Sequence, residues 1–278
     1  MILLYQFKPG LDIPNPSNFC MKVETYLKMA KLPYEAINDN NWAKAPTRKL
    51  PCIEDDGRLV WDSQKIIEYL KDEYGNAVDA HLTDEQLAIG YAAQAVAEDR
   101  LIYCIMKDRY YVDESREAIL DHWSRAFIPD KLRVFRPLIK SLIKKSMRDS
   151  LKHQWQGYVR YPDNEIFEFA RRDFRALSDI LGGKPYFLGD RPTSPDAGIH
   201  AIVANAISFP TESPLKEIGY EFDNLVAYHE RMMSEFYGKD YRSADAPKSE
   251  SKPLLHSLLI DNDHWAAIRG RIEKWSKR

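Results

Sequence analysis

The chain has 278 residues, with 40 Lys and Arg against 42 Asp and Glu for a formal charge of −2. That length suits two domains sharing an interface, and the near-neutral charge excludes the broad basic field that gathers nucleic acid. Apolar residues make up 44% and aromatics 12%, enough for a sizeable core, yet no apolar run approaches the ~20 residues that a membrane span needs.

The opening MILLYQFKPG lacks a basic leader and reads as a strand over residues 2–7, not as a signal peptide. Prolines at 9, 14 and 16 make Lys8–Pro16 a long loop. Phe19, Val23, Tyr26, Leu27 and Ala30 share one helical face, predicting a helix over 18–31 that Pro33 ends. Tyr34–Ile37 is a short strand candidate, and 39–49 is polar and irregular. Cys52–Glu54, the turn Asp55-Asp56-Gly57 and Arg58–Trp61 predict a hairpin. Ser63 is placed as the N-cap of a helix over 64–74, closed by Gly75. From Glu85 the pattern is helical: 85–107 as one helix, then about 115–127, 137–156 and 164–181. Thr193-Ser194-Pro195-Asp196 predicts a capping box for a helix over 197–207, and 222–236 predicts another. Residues 243–253 read as a linker, and 264–275 as a last short helix.

Three short motifs carry chemistry. Ser17 stands where a loop feeds a helix, so its hydroxyl meets the unpaired N–H groups and positive end of the first turn, where a thiolate is stabilised. By itself this serine is better explained as a cap, and the Leu50-Pro51 and Asp62-Ser63 context reverses that reading. Asp62-Ser63 is a second helix start, suited to a carboxylate at the N–H groups and an ammonium at Asp62. Cys20, Cys52 and Cys104 form an odd, sparse set that fits reduced thiols in a cytoplasmic protein. The seven histidines are scattered without ligand spacing, so no metal is expected.

The order strand–helix–strand, then hairpin–helix, with PSNFCMKV at 16–23, LPCIEDDGRLVWDS at 50–63 and FLGDRPTSPDAGIHAIVANAI at 187–207, resembles the glutathione transferase superfamily. The wording NPSNFCMKVETYLKMAKLPYE is most similar to its failed-axon-connections and metaxin-like branch with bacterial relatives. Agreement is strongest over residues 2–75.

The resemblance implies an α/β thioredoxin-like domain over 1–77, an all-α C-terminal domain over 85–242 and an extension over 243–278. It implies glutathione as co-substrate. Ser17 would be the catalytic hydroxyl donating to the glutathione sulfur, in the serine-type pattern with Asn18 in place of the usual proline. Phe7 stands where other classes carry a catalytic tyrosine, with Tyr5 nearby. Leu50 would pair the ligand backbone before a cis Pro51, Lys49 would meet the glycine carboxylate, and Asp62 and Ser63 would hold the γ-glutamyl end. For Lys49, an exposed loop charge is an equal reading. The reaction would join glutathione to a small electrophile, in a pocket with Tyr103, Tyr110 and Tyr111 as candidates. A homodimer is expected by analogy.

Two alternatives accompany this. One is a non-catalytic interaction module on the same fold. Residues 131–160 hold nine Lys and Arg against Asp149 alone, and such a stretch, with Phe135 and Trp155, serves as a solvated helix face or as a contact to an anionic membrane surface. No nucleic-acid motif accompanies it. The other is glutathione-dependent thiol redox chemistry at Cys20, with Cys52 nearby.

Overall fold

The computed structural model describes residues 1–39, 44–128, 130–154, 158–238 and 241. The whole 243–278 extension, with its linker at 243–253 and helix at 264–275, and Trp155 lie outside the described residues.

Four strands form one sheet in the order β2-β1-β3-β4, with β1 Ile2–Tyr5, β2 Tyr34–Ile37, β3 Cys52–Asp55 and β4 Arg58–Trp61. β1 runs parallel to β2 and antiparallel to β3, and β3 runs antiparallel to β4. The β3–β4 hairpin turns at Asp56 and Gly57, both at positive φ (46° and 87°). Helices α1 (Asn18–Met29) and α2 (Ser63–Tyr74) cover this sheet. Ile2, Leu4 and Ile53 from the strands bury against Val23, Leu27, Ile66 and Leu70, together with Ala197 from the helical half. This is the thioredoxin-like arrangement that the sequence order implied.

The remaining helices are α3 Asp84–Val96, α4 Ile102–Tyr111, α5 Asp113–Phe127, α6 Arg136–Gln154, α7 Asp163–Leu181, α8 Ser194–Ile207, α9 Pro214–Tyr220 and α10 Asp223–Phe236. α8 is the central helix, and every one of its residues is buried. The Asp196 carboxylate takes hydrogen bonds from the Thr193 N–H (2.8 Å) and hydroxyl (2.6 Å) and from the Phe187 N–H (3.0 Å), completing the expected capping box. A second core, of Phe7 and Leu11 from the first loop with Tyr110, Ile119, Trp123 and Ile143, joins α4, α5 and α6 to the sheet half.

Four expectations need correction. The helix over 85–107 is three segments, because residues Ala97–Leu101 wind as a π-helix between α3 and α4. A 3-10 helix at Asp130–Phe135 precedes α6. α9 was not expected, although Ser213 caps it through the Lys216 N–H (3.3 Å) and Pro214 sits in its first turn. Ser63 is not the cap of α2: Asp62 is, with its carboxylate accepting from the Gln64 (3.0 Å) and Lys65 (3.2 Å) N–H groups. Asp62→Ala is therefore expected to cost about 1 kcal/mol of stability in chemical denaturation, as the loss of an N-cap does. Ser63→Ala should leave the cap intact, and a larger loss at Ser63 than at Asp62 would contradict the assignment.

Candidate functional site

Register sets the geometry. Tyr5 lies opposite Cys52, and Cys52 opposite Trp61, so the end of β1, the start of β3 and the end of β4 form one row across the sheet. The chain leaves β1 toward Ser17, enters β3 through Leu50-Pro51 and leaves β4 into Asp62-Ser63. All three sequence motifs thus converge on one edge. Beneath them Cys20, Leu50 and Cys52 bury together, with Tyr5, Phe7 and Trp61 against them.

Ser17 caps α1 in extended conformation, and its hydroxyl oxygen accepts from the Cys20 N–H at 3.4 Å. The oxygen is the acceptor in that contact, so the hydroxyl keeps a proton to give. Its position is set from behind. The Ser17 N–H donates to Asn15 Oδ1 (2.9 Å), and Asn15 Nδ2 donates to the Phe7 carbonyl (2.7 Å). The buried Arg109 guanidinium donates to the Pro16 carbonyl (2.7 Å) and to Asn205 Oδ1 (2.5 Å), while Asn205 Nδ2 donates to the Asn15 carbonyl (3.2 Å). Gly10 allows this loop to lie on α5: a Cβ there would stand 2.2 Å from His122 Cε1.

The Leu50-Pro51 bond is cis, as the resemblance implied. Leu50 and Pro51 are buried, and Lys49 is exposed on the loop. Asp62 holds φ 75°, ψ 126°, a region that side chains avoid. Such a conformation persists only where the surrounding structure holds it in place. Ser63 beneath it is buried. Lys22, quoted in the first motif without a role, is 1% exposed and donates to Gln64 Oε1 (3.0 Å) and Glu98 (2.9 Å). It ties the helix that starts at Ser17 to the helix that starts at Ser63. Lys44, also missed, pairs with Glu54 (2.7 Å) and stands over the Tyr5 ring (4.9 Å).

The tyrosines separate. Tyr110 and Tyr111 join the core that holds Phe7 and Leu11. Tyr103 packs at a tilt against Tyr158, with ring centroids 4.8 Å apart, and lies outside that core.

All three cysteines are buried and free. Burial pushes the Cys20 thiol up to about 12, against smaller opposing pulls from the Ser17 hydroxyl and the Phe7 backbone. Burial likewise pushes Cys52 to about 11 and Cys104 to about 12. Thiolate is the reactive form, and burial disfavours it at all three positions. The folded protein is expected to release almost no colour with a disulfide reagent at pH 7.5 until denaturant is added. Prompt titration of one thiol would contradict this. Among the described residues no group of three His, Cys, Asp or Glu is placed to hold a metal ion, and no helix is long and apolar enough to cross a membrane.

Comparison with known proteins places this geometry. Residues 18–115 match the glutathione S-transferase N-terminal domain and residues 170–232 the glutathione S-transferase C-terminal domain. The chain is 31% identical to isoprene-epoxide–glutathione S-transferase of Rhodococcus sp. (strain AD45), over 85% of this chain and 99% of that one. It is also 31% identical to failed axon connections of Drosophila melanogaster, over 85% of this chain but 58% of that longer protein. The Arabidopsis thaliana mitochondrial outer membrane import complex protein metaxin is 26% identical, over 90% of this chain and 75% of that one. In fold the chain is similar to a beta-etherase of Sphingobium sp. strain SYK-6, with TM-score 0.57 and 16% identity over 84% of this chain and 95% of that one. A glutathione transferase family member from Pseudomonas fluorescens pf-5, solved with two glutathiones bound, gives TM-score 0.55 and 18% identity over 84% and 88%. A relative matched along its whole length, together with both domain families, makes this chain a member of the glutathione S-transferase family.

Proposed function

We propose that the protein binds glutathione along the edge formed by Ser17, Leu50-Pro51 and Asp62-Ser63 and adds its sulfur to a small electrophile. The convergence of these three segments on the Tyr5–Cys52–Trp61 row carries the reading. Leu50 offers backbone groups for an extended peptide to pair with, as an added strand does. The N–H groups at the start of α2 and the Ser63 hydroxyl receive the γ-glutamyl carboxylate, Asp62 its ammonium, and exposed Lys49 the glycine carboxylate. Ser17 donates to the sulfur, and with the positive end of α1 it favours the thiolate over the thiol. No base is required at Ser17, because the serine is a hydrogen-bond donor and not the nucleophile.

Calorimetric titration with glutathione tests the binding step, and absence of heat up to millimolar ligand would defeat the reading. Ser17→Ala should slow turnover of a model electrophile by roughly ten- to a hundredfold, about 1.4–3 kcal/mol of lost stabilisation, with glutathione affinity nearly unchanged. Unaltered turnover in Ser17→Ala would remove Ser17 from the chemistry. A cytoplasmic homodimer belongs to the same proposal: Leu87 and Tyr91, one turn apart on α3, are 41% and 76% exposed. Sedimentation at micromolar concentration reads the dimer directly.

The interaction-module reading has its own support. Val134, Phe135 and Leu138 stand exposed in succession within the basic stretch, a pairing that suits docking to an acidic surface. A protein that binds no glutathione but sediments with anionic vesicles would favour it.

A further inference from the structure

Tyr111, at the end of α4, sits among three cations. The Lys107 ammonium lies 4.6 Å from the centre of its ring and the Arg148 guanidinium 4.8 Å from it. Arg116 Nη1 donates to the Tyr111 carbonyl at 3.4 Å. Two of these cations are neutralised: Lys107 pairs with Asp163 (2.8 Å) and Arg116 with Asp113 (2.5 Å). Arg148 has no carboxylate partner among the described residues, and its Nε is buried without an acceptor. Among the described residues the Tyr111 hydroxyl and Arg116 Nε are also buried without partners. Burial raises the pKa of Tyr111 against the pull of Arg148 and with a smaller push from the Asp149 carboxylate, so the hydroxyl is protonated at neutral pH.

Three buried donors without acceptors beside one unneutralised guanidinium form an unusual combination. Buried polar groups are almost always paired, and leaving them unpaired is costly. What these three donor atoms lack among the described residues is an oxygen acceptor, since Asp163 and Asp113 are taken up by Lys107 and Arg116. The surrounding layer is apolar and adaptable, with Met106, Ile139 and Met147 beside Tyr111. Phe7 and Leu11 belong to the same layer, and their segment runs on to Ser17.

We propose that Arg148, standing over the Tyr111 ring, anchors a carboxylate in the second-substrate site, so that the favoured electrophile is an apolar molecule bearing a carboxylate. This rests on the transferase reading for the reaction but not for the binding. A planar guanidinium on an aromatic face offers its edge to a carboxylate in two parallel hydrogen bonds, with Tyr111 supplying a third donor. With 4-chloro-3-nitrobenzoate as electrophile, the glutathione thiolate forms the carbon–sulfur bond at the chlorine-bearing carbon. Chloride leaves with its electron pair, and the thiol proton goes to solvent.

The test begins without glutathione. 4-Chloro-3-nitrobenzoate and its neutral partner 4-chloro-3-nitrobenzamide are titrated into the full chain by calorimetry. The wild type is expected to bind the benzoate about tenfold or more tighter, the scale of one charge-assisted hydrogen-bonded pair. Arg148→Met, which keeps an apolar stem, should bring the two affinities within about twofold. Arg148→Lys should restore part of the preference, and Tyr111→Phe should weaken it while keeping the stack. With glutathione present, the preference should reappear in kcat/KM after each rate is divided by the uncatalysed rate. Equal binding of benzoate and benzamide to the wild type would mean that water alone satisfies these donors, and it overturns the proposal. So does a preference that survives in a folded Arg148→Met protein. Failure of the separate glutathione titration overturns the transferase reading and leaves the carboxylate result to stand or fall alone.

Discussion

Stability is expected to fall steeply between pH 6.5 and 4, because three histidines are held uncharged, His200 and His229 buried and His122 half-buried. His122 on α5 is lowered from 6.5 to about 4, by burial first and then by the Arg109 cation. His229 on α10 is lowered to about 4 by burial, and His200 on α8 is lowered well below 6.5 by burial and by His229. His229 bridges its neighbours, with Nδ1 3.2 Å from His200 Nε2 and Nε2 2.7 Å from the Ser208 hydroxyl. The sign follows from proton uptake. Below pH 6.5 the unfolded chain protonates these rings, while the folded chain holds His122 and His229 neutral to about pH 4 and His200 neutral as well, so acid favours unfolding across that window. At 1.36 kcal/mol per pKa unit, His122 alone accounts for about 3 kcal/mol, a large part of an ordinary domain's stability. Burial raises the carboxyls of Asp108, Asp173 and Asp196, which take up protons more readily when folded and offset part of the loss near pH 4. Urea midpoints measured from pH 7 to 4.5 check this, with His122→Phe expected to flatten the profile. A midpoint that does not move, or a His122→Phe protein with the wild-type slope, would refute it.

Arg109→Leu is expected to cost about 3–5 kcal/mol and to disable the Ser17 loop. The guanidinium is 4% exposed, and its partners are the Pro16 carbonyl, the Asn205 carbonyl (3.2 Å) and Asn205 Oδ1. It also stands 4.9 Å from the Phe209 ring centre. Leucine fills some of the volume but leaves those acceptors buried and unsatisfied, at about 1–3 kcal/mol each. Asn205→Ala strands the other side: it removes one acceptor of a buried cation and the donor to the Asn15 carbonyl. Both variants free the two residues preceding Ser17, so activity should fall beyond what the folded fraction explains. Denaturation curves and turnover measured on the same samples separate the two losses. A folded Arg109→Leu protein with the wild-type midpoint and rate would show that Ser17 is positioned by α1 alone.

What was legible in the sequence was local. The Asp55-Asp56-Gly57 turn, the Thr193–Asp196 box and the Pro33 stop each lie within a few residues of what they control, and each stands where expected. The row that assembles the site was legible only through the resemblance, because register is set between strands about fifty residues apart. The cap of α2 was misplaced by one residue for a physical reason. An N-cap ordinarily sits in the extended region, and nothing in Trp61-Asp62-Ser63 announces that Asp62 takes positive φ. The Ser213-Pro214 start of α9 carried a usable signal, a capping serine before a proline. The π segment at 97–101 carried none, since its residues are ordinary helix formers. Arg109, Asn205 and Lys22 escaped for a different reason. Their partners lie 93, 190 and 76 residues away, and a buried charge is recognised by its partner, not by its neighbours in the chain.

Lys22 has one more consequence. Its ammonium is held by Gln64 from the sheet half and Glu98 from the helical half, with Lys71 bridged to Asp79 and Ser194 on the same seam. To part the halves is to break the Lys22–Glu98 pair and to expose the apolar seam beside it, where Met21 packs on Ala201 and Ala204. The sheet and the helices are therefore bound into one cooperative unit. They melt as a single event, and a clone ending near residue 77 would lose the partner that lets Lys22 remain inside.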